Sequence, residues 1–207
     1  MIKHKPHVIS TSAQLHSDIR TNQYIESFNQ LKQFTDLFET ITLIETVSAT
    51  TVDYLENTGL RVYYSTLGNP YSDKGVNWVY HIEHFLKESS ITDDEVIIFI
   101  TGRYKLLNDN IVKLINDNMY NKEYDIIAKS DSDMYSGIGV HTFLIAFRKH
   151  KFLEFAEWYR SSGNHNNCVE WEMKKFMEKF DKCLILGKET IIGVETRIAS
   201  SNTRNIC

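Results

Sequence analysis

The amino-acid sequence predicts an α/β protein whose mixed, mainly parallel sheet is flanked by helices, and three observations carry that expectation. The run Val96 to Ile100, VIIFI, is wholly apolar and mostly β-branched, with Asp93-Asp94-Glu95 before it and Thr101-Gly102-Arg103-Tyr104 after it. Such a run reads as a strand buried on both faces, as in parallel sheets. In the first half of the chain similar runs alternate with segments of helical period, the pattern of βαβ units. In the second half short apolar runs crowd together, which points to a mixed sheet.

Taken in order, the first strand is expected over His7 to Ser10, running into the small polar residues Thr11 and Ser12. A helix over Asn22 to Phe38 follows, because Tyr24, Phe28, Leu31, Phe34 and Phe38 recur at three- and four-residue spacing. Ile41 to Glu45 is a second buried strand ending in an acid, and Ser48 to Asn57 a short helix closed by Gly59. Leu60 to Ser65 is a third strand, and Gly68-Asn69-Pro70 is turn chemistry. Gly75 to Lys87 is a helix with Val76, Val79, Ile82, Phe85 and Leu86 on its apolar face. After the strand at Val96, a helix is expected over Asn110 to Asn116, then strands over Asp125 to Ala128 and Thr142 to Phe147. Helices over His150 to Tyr159 and Val169 to Phe180 flank the polar loop Ser161 to Asn167. The apolar runs Cys183 to Leu186 and Ile191 to Val194 close the chain.

A length of 207 residues suits one domain with a full core, and two prolines with no Gly/Ser-rich linker show no boundary within 1–207. Hydrophobic residues at 42% and charged ones at 24% are the composition of a folded globular chain. A net charge of −4 argues against a broad nucleic-acid surface but leaves room for a local basic pocket. No apolar segment approaches the roughly 18–20 residues of a membrane span. The opening MIKHKPHVISTS lacks an apolar signal segment, so a cytoplasmic protein is expected, in the host cytoplasm if the source is viral. Cys168, Cys183 and Cys207 are odd in number and form no CxxC pair, which leaves free thiols as the plain reading.

Ligands of open α/β sheets bind at the carboxyl ends of the strands, so polar residues there are the candidates. Thr101, Gly102 and Arg103 follow the VIIFI strand. Glycine lets a ligand approach the backbone and arginine offers phosphate a planar fork of donors. Equally, the glycine makes a turn and Arg103 pairs with a surface acid. Lys74 and Asn77 stand at the head of the helix that leads to this strand. A lysine beside a helix N-terminus makes an anion site, while a solvated lysine is the bland alternative. Asp131 and Asp133, as an acid-x-acid pair after a strand, suit either a hard divalent cation or an ordinary turn. Glu170, in the first turn of the late helix, can serve as a general base or simply answer the helix dipole. His141 is a second base candidate, with a structural role as the alternative. Thr11, Ser12, Arg20 and Tyr24 follow the first strand, where hydroxyls can face a nucleotide and Tyr24 can pack in the core. Glu45, at the end of the second strand, stands where an acid accepts from a ribose in nucleotide-binding folds.

The ordered set Glu45-Thr46-Val47-Ser48, Lys74-Gly75-Val76-Asn77, Asp93 to Leu107 and Val169-Glu170 resembles the GT-A class of nucleotide-sugar glycosyltransferases. More narrowly it is similar to small bacterial and giant-virus proteins with a TGRY signature. The resemblance implies a GT-A-like domain that transfers a sugar from a nucleoside diphosphate sugar to a glycan or other hydroxyl acceptor. The nucleoside would lie near Thr11, Ser12 and Glu45, and the diphosphate near Lys74 and Arg103. Glu170 would be the base of an inverting reaction. One departure stands out: the acid-x-acid metal motif usual after the fourth strand is replaced by Thr101-Gly102-Arg103. Either Arg103 and Lys74 neutralise the diphosphate without metal, or Asp131 and Asp133 hold a Mn²⁺ or Mg²⁺ ion from a neighbouring strand. A non-catalytic nucleotide- or glycan-binding module and a nucleotidyltransferase are the competing readings.

Overall fold

The computed structural model describes residues 4–13, 18–121, 124–130, 139–161, 168–187, 189–197 and 204–206. Its strands in chain order are β1 (His7–Ser12), β2 (Ile41–Glu45), β3 (Arg61–Tyr64), β4 (Val96–Ile100), β5 (Lys105–Leu106), β6 (Ile126–Ser130), β7 (Val140–Arg148), β8 (Cys183–Leu186), β9 (Val194–Arg197) and β10 (Arg204–Ile206). Its helices are α1 (Asp18–Lys32), α2 (Asp53–Glu56), α3 (Lys74–Glu88), α4 (Asn110–Asn118), α5 (Lys149–Ser161) and α6 (Val169–Met177). A seven-stranded sheet in the order β3-β2-β1-β4-β7-β6-β8 is the spine, and β10-β9-β5 form a small second sheet. In the large sheet β7 pairs antiparallel with β4 and β6, while all other pairings are parallel. The sheet is mixed and mainly parallel, as the run pattern predicts.

Strand side chains alternate between faces, and β4 shows how both faces become core. Val96, Ile98 and Ile100 pack with Tyr24, Phe28 and Leu31 of α1 and with Ile111, Val112 and Ile115 of α4. Ile97 and Phe99 face the other way, toward Val79, Ile82 and Phe85 of α3, Phe152 and Phe155 of α5, and Met173 of α6. Trp78 of α3 packs edge-on against Phe99, with ring centroids 5.5 Å apart. No helix among the described residues is long and apolar enough to cross a membrane.

Several elements differ from expectation for local reasons. β1 runs two residues further, because Thr11 and Ser12 still pair with Ile44 and Glu45. The first helix starts at Asp18 and ends at Lys32, followed by a 3₁₀ turn over Thr35–Leu37. The helix expected from Ser48 shrinks to Asp53–Glu56, since the Ser48 hydroxyl bonds the Thr50 carbonyl at 2.9 Å and diverts the chain into a turn. The run at Ile191 to Val194 contributes only its last residue to β9. β5 and β10 are too short to show periodicity in the sequence.

Candidate functional site

β1, β2 and β4 lie side by side and their chains leave the sheet at one edge, carrying Ser12, Glu45 and Thr101 there. A cavity of about 710 Å³ opens above them. Thr11 and Ser12 border it from β1, Arg20 and Tyr24 from α1, and Thr101 and Arg103 from the exit of β4. Lys74, Asn77, Trp78 and His81 border it from α3, and Val169 and Glu170 from α6. Thus Thr11, Ser12, Arg20, Lys74, Asn77, Thr101, Arg103 and Glu170 converge, although they are scattered along the sequence.

Arg20, Lys74 and Arg103 bring positive charge to the cavity. Burial raises the pKa of the Tyr24 hydroxyl, and the Arg103 and Arg20 guanidinium groups oppose that rise, so both arginines lie close to this phenol. Neither Arg20 nor Lys74 forms an ion pair among the described residues. Three positive charges bordering one cavity suit it to an anion.

The head of α3 differs from the expected anion site. Asp73 caps the helix, its Oδ1 accepting from the Gly75 N–H at 2.7 Å and the Val76 N–H at 3.0 Å. Those donors are occupied, so Lys74 offers its charge without them. Asp73 was missed in the sequence, although an acid just before a helical run is an N-cap signal. Asn77 also spends its amide locally, accepting from the Tyr71 N–H at 3.1 Å and donating to the Tyr71 and Asp73 carbonyls at 2.6 and 3.1 Å. It holds the loop over Tyr71–Asp73, whose residues border the cavity.

Two further expectations are corrected. Gly102 does not border the cavity. A Cβ there would lie 2.5 Å from the Thr11 carbonyl oxygen and 2.9 Å from both Phe28 Cζ and Tyr24 Cδ1. The glycine therefore serves close packing of the β4 exit on β1 and α1, where its N–H donates to the Thr11 carbonyl at 3.1 Å. Glu45 is fully buried and does not border the cavity either. Its carboxylate accepts from Ser12 Oγ at 2.7 Å and from the Val47 and Ser48 N–H groups at 2.8 and 3.1 Å. It shapes the loop carrying Thr46 and Val47, which line the cavity.

His81, also missed in the sequence, ties the loops after β2 and β3 together. Asn69 donates its Nδ2 to the Thr46 carbonyl at 2.9 Å, which leaves its Oδ1 to accept from His81 Nε2 at 3.1 Å. Nδ1 then accepts from Ser65 Oγ at 2.6 Å. Burial lowers the pKa of His81, with Glu45 opposing, so the neutral ring that this network needs is the favoured form. A histidine on the apolar stripe of α3 gave no sequence signal distinguishing it from core.

Acids collect where the heads of α3 and α6 meet. A Cβ on Gly75 would sit 2.6 Å from Val169 Cγ1, so the two helices touch. Glu170 Oε2 accepts from the Cys168 thiol at 2.7 Å. The buried Tyr159 hydroxyl is pushed up by its burial and then by Asp73, Cys168, Glu170 and Glu172, which sets all four around it. His141 is buried in β7 and does not border the cavity. Asp131 and Asp133 lie outside the described residues. Among the described residues no three His, Cys, Asp or Glu side chains are grouped to hold a metal ion.

No protein-family model matches the chain, and no curated protein matches it in sequence. Its fold is found among solved structures. A glycosyltransferase involved in glycosylating the major capsid of PBCV-1 superposes with a TM-score of 0.54 at 9% identity, over 88% of this chain and 81% of that one. A 2-C-methyl-D-erythritol 4-phosphate cytidylyltransferase from Francisella tularensis gives 0.54 at 11% identity, over 88% and 90%. A mannosyltransferase from Pyrobaculum calidifontis, solved with GDP-Man and Mn²⁺, gives 0.56 at 10% identity, over 90% of this chain and 56% of that one. The chain therefore has the GT-A-like, Rossmann-like fold shared by nucleotide-sugar transferases and nucleotidyltransferases.

Proposed function

We propose that this chain is a single-domain glycosyltransferase that moves a sugar from a nucleoside diphosphate sugar to a hydroxyl acceptor in glycan synthesis. The observation that carries the reading is the meeting of Arg20, Lys74 and Arg103 at one cavity on the carboxyl edge of a mainly parallel sheet. In this reading Thr11 and Ser12 face the nucleoside, with Glu45 fixing the loop beside it. Arg20, Lys74 and Arg103 take the diphosphate. Glu170 removes the proton of the acceptor hydroxyl, whose oxygen bonds to the anomeric carbon as the bond to the diphosphate oxygen breaks. The electron pair leaves on the diphosphate, and the fixed cations stabilise it there.

The test is a thermal-shift panel of nucleoside diphosphate sugars, run in EDTA and again with Mn²⁺, because any ligand of the native state raises the melting temperature. A shift in EDTA is expected, followed by release of nucleoside diphosphate when an acceptor is supplied. No shift in either condition would overturn the reading. A shift in Mn²⁺ alone would overturn the claim that the cations suffice and direct attention to Asp131 and Asp133. Binding without transfer across a broad acceptor panel would leave a binding module. The second reading, a nucleotidyltransferase, is favoured by the likeness to the cytidylyltransferase over 90% of that chain. Pyrophosphate release from a nucleoside triphosphate and a sugar phosphate would establish it.

A further inference from the structure

We infer that Trp78 holds the sugar of the donor: its indole takes the C–H face of a pyranose between the diphosphate cations and Glu170. This rests on the proposed glycosyl transfer, which gives the nucleoside, the diphosphate and the acceptor proton their residues but gives the sugar none.

The place follows from the register of α3. Lys74, Trp78 and His81 all border the cavity, and their four- and three-residue spacing sets them on one face of the helix. Trp78 stands about 6 Å along the axis from Lys74. Thr11, Thr101 and Trp78 also line a small void at the ends of β1 and β4, so the indole lies against the floor of the cavity. The head of α3 meets Val169 at Gly75, three residues before Trp78, and Glu170 follows Val169 on the cavity border. A sugar joined to a diphosphate at Lys74 and open to a base at Glu170 therefore has Trp78 beside it.

The side chain suits a sugar. Phe99 and Phe152 meet it at ring angles of 70° and 83°, with centroids 5.5 and 6.0 Å away, so the core fixes its position. It is nonetheless only half-buried, and its indole N–H has no hydrogen-bond partner among the described residues. A pyranose complements both features. The C–H groups of one of its faces match the negative face of the indole, and a ring hydroxyl can accept from the N–H.

The experiment measures calorimetric affinities of the wild type, Trp78→Leu and Trp78→Phe for UDP and GDP and for UDP-glucose, UDP-galactose and GDP-mannose. Trp78→Leu is expected to bind the sugar conjugate about tenfold more weakly and the free diphosphate within about twofold of the wild type. Trp78→Phe keeps an aromatic face and should recover part of the loss. An unchanged conjugate affinity in Trp78→Leu would overturn the inference. So would an equal loss for the conjugate and the free diphosphate, which is what a packing role alone would give. A second readout keeps the core residue intact: Trp158→Phe with Trp171→Phe leaves Trp78 as the only tryptophan. Its emission should change more with the conjugate than with the free diphosphate, and the same change with both would refute the contact. Failure of the wild type to bind any of these nucleotides would instead be a failure of the proposed transfer, and the inference would fall with it.

Discussion

Basic side chains stand at both ends of β4, and the two ends hold them in opposite ways. At the amino-terminal end Arg148, paired across from Val96, is buried. Its Nε donates to Asp125 Oδ1 at 2.9 Å, one terminal nitrogen to the Asp94 carbonyl at 2.7 Å and the other to the Met119 carbonyl. Beside it Lys149 Nζ donates to the Ile91 carbonyl at 2.6 Å, and the His150 N–H donates to the Asp93 carbonyl at 3.1 Å. At the carboxyl end Arg20 and Lys74 make no ion pair among the described residues and, with Arg103, border the cavity. One edge of the sheet spends its cations on its own loops. The other places them around a cavity.

The largest effect should come from removing a cation at each end and comparing. Arg148→Ala takes the pair from the half-buried Asp125 carboxylate and a donor from each of the Asp94 and Met119 carbonyls, so it should cost about 2–4 kcal/mol in urea denaturation. Arg103→Ala should cost less than about 1 kcal/mol of stability and weaken nucleoside diphosphate binding by about 10- to 100-fold in calorimetry. If Arg148→Ala were as stable as the wild type, or Arg103→Ala bound as tightly, the division of labour between the two edges would be wrong.

The next effect separates a packing glycine from a ligand-contacting one. In Gly102→Ala the new methyl would press on the Thr11 carbonyl and on the Tyr24 and Phe28 rings. Overpacking of this kind costs about 1–3 kcal/mol. Donor affinity should fall as well, because the β4 exit must shift and Arg103 shifts with it. A stability unchanged within error, with donor binding lost, would mean that Gly102 meets the ligand directly after all.

The central strand of this site was legible because a buried strand leaves a bare apolar run: Val96–Ile100 is buried along its length and appears with its expected ends. The cavity's cations were legible for a related reason, since Lys74 and Arg103 follow strands in successive βα units. What the sequence hid were relations between distant segments. Gly102 is explained by two rings on α1, and Glu45 by a hydroxyl on β1 and two N–H groups of its own loop. His81 joins loops from β2 and β3 through Asn69 and Ser65, which no local pattern announces. The pairing of β5 with β9 joins residues about 90 apart, as in Leu106 with Val194, and two-residue strands carry no period.

The smallest effect concerns the pinned edge and acid. Burial alone would raise the Glu95 carboxyl, but the Thr92 N–H and the His7 ring outweigh it and hold its pKa below the ordinary 4.5. A carboxyl lowered in the folded state stabilises the fold above its unfolded pKa, and that contribution is lost as pH falls through the folded value. Glu95 is 42% exposed, so solvent screens the gain and the effect is small. The difference in unfolding free energy between the wild type and Glu95→Gln should therefore be flat above about pH 5 and shrink below pH 4.5, toward the folded pKa. Donor affinity should be the same in Glu95→Gln as in the wild type, because Glu95 lies at the far edge. A pH-independent difference would show that the Glu95 contacts with Thr92 and His7 do not favour the ionised carboxylate. A loss of donor binding in Glu95→Gln would show instead that the two edges of the sheet are coupled.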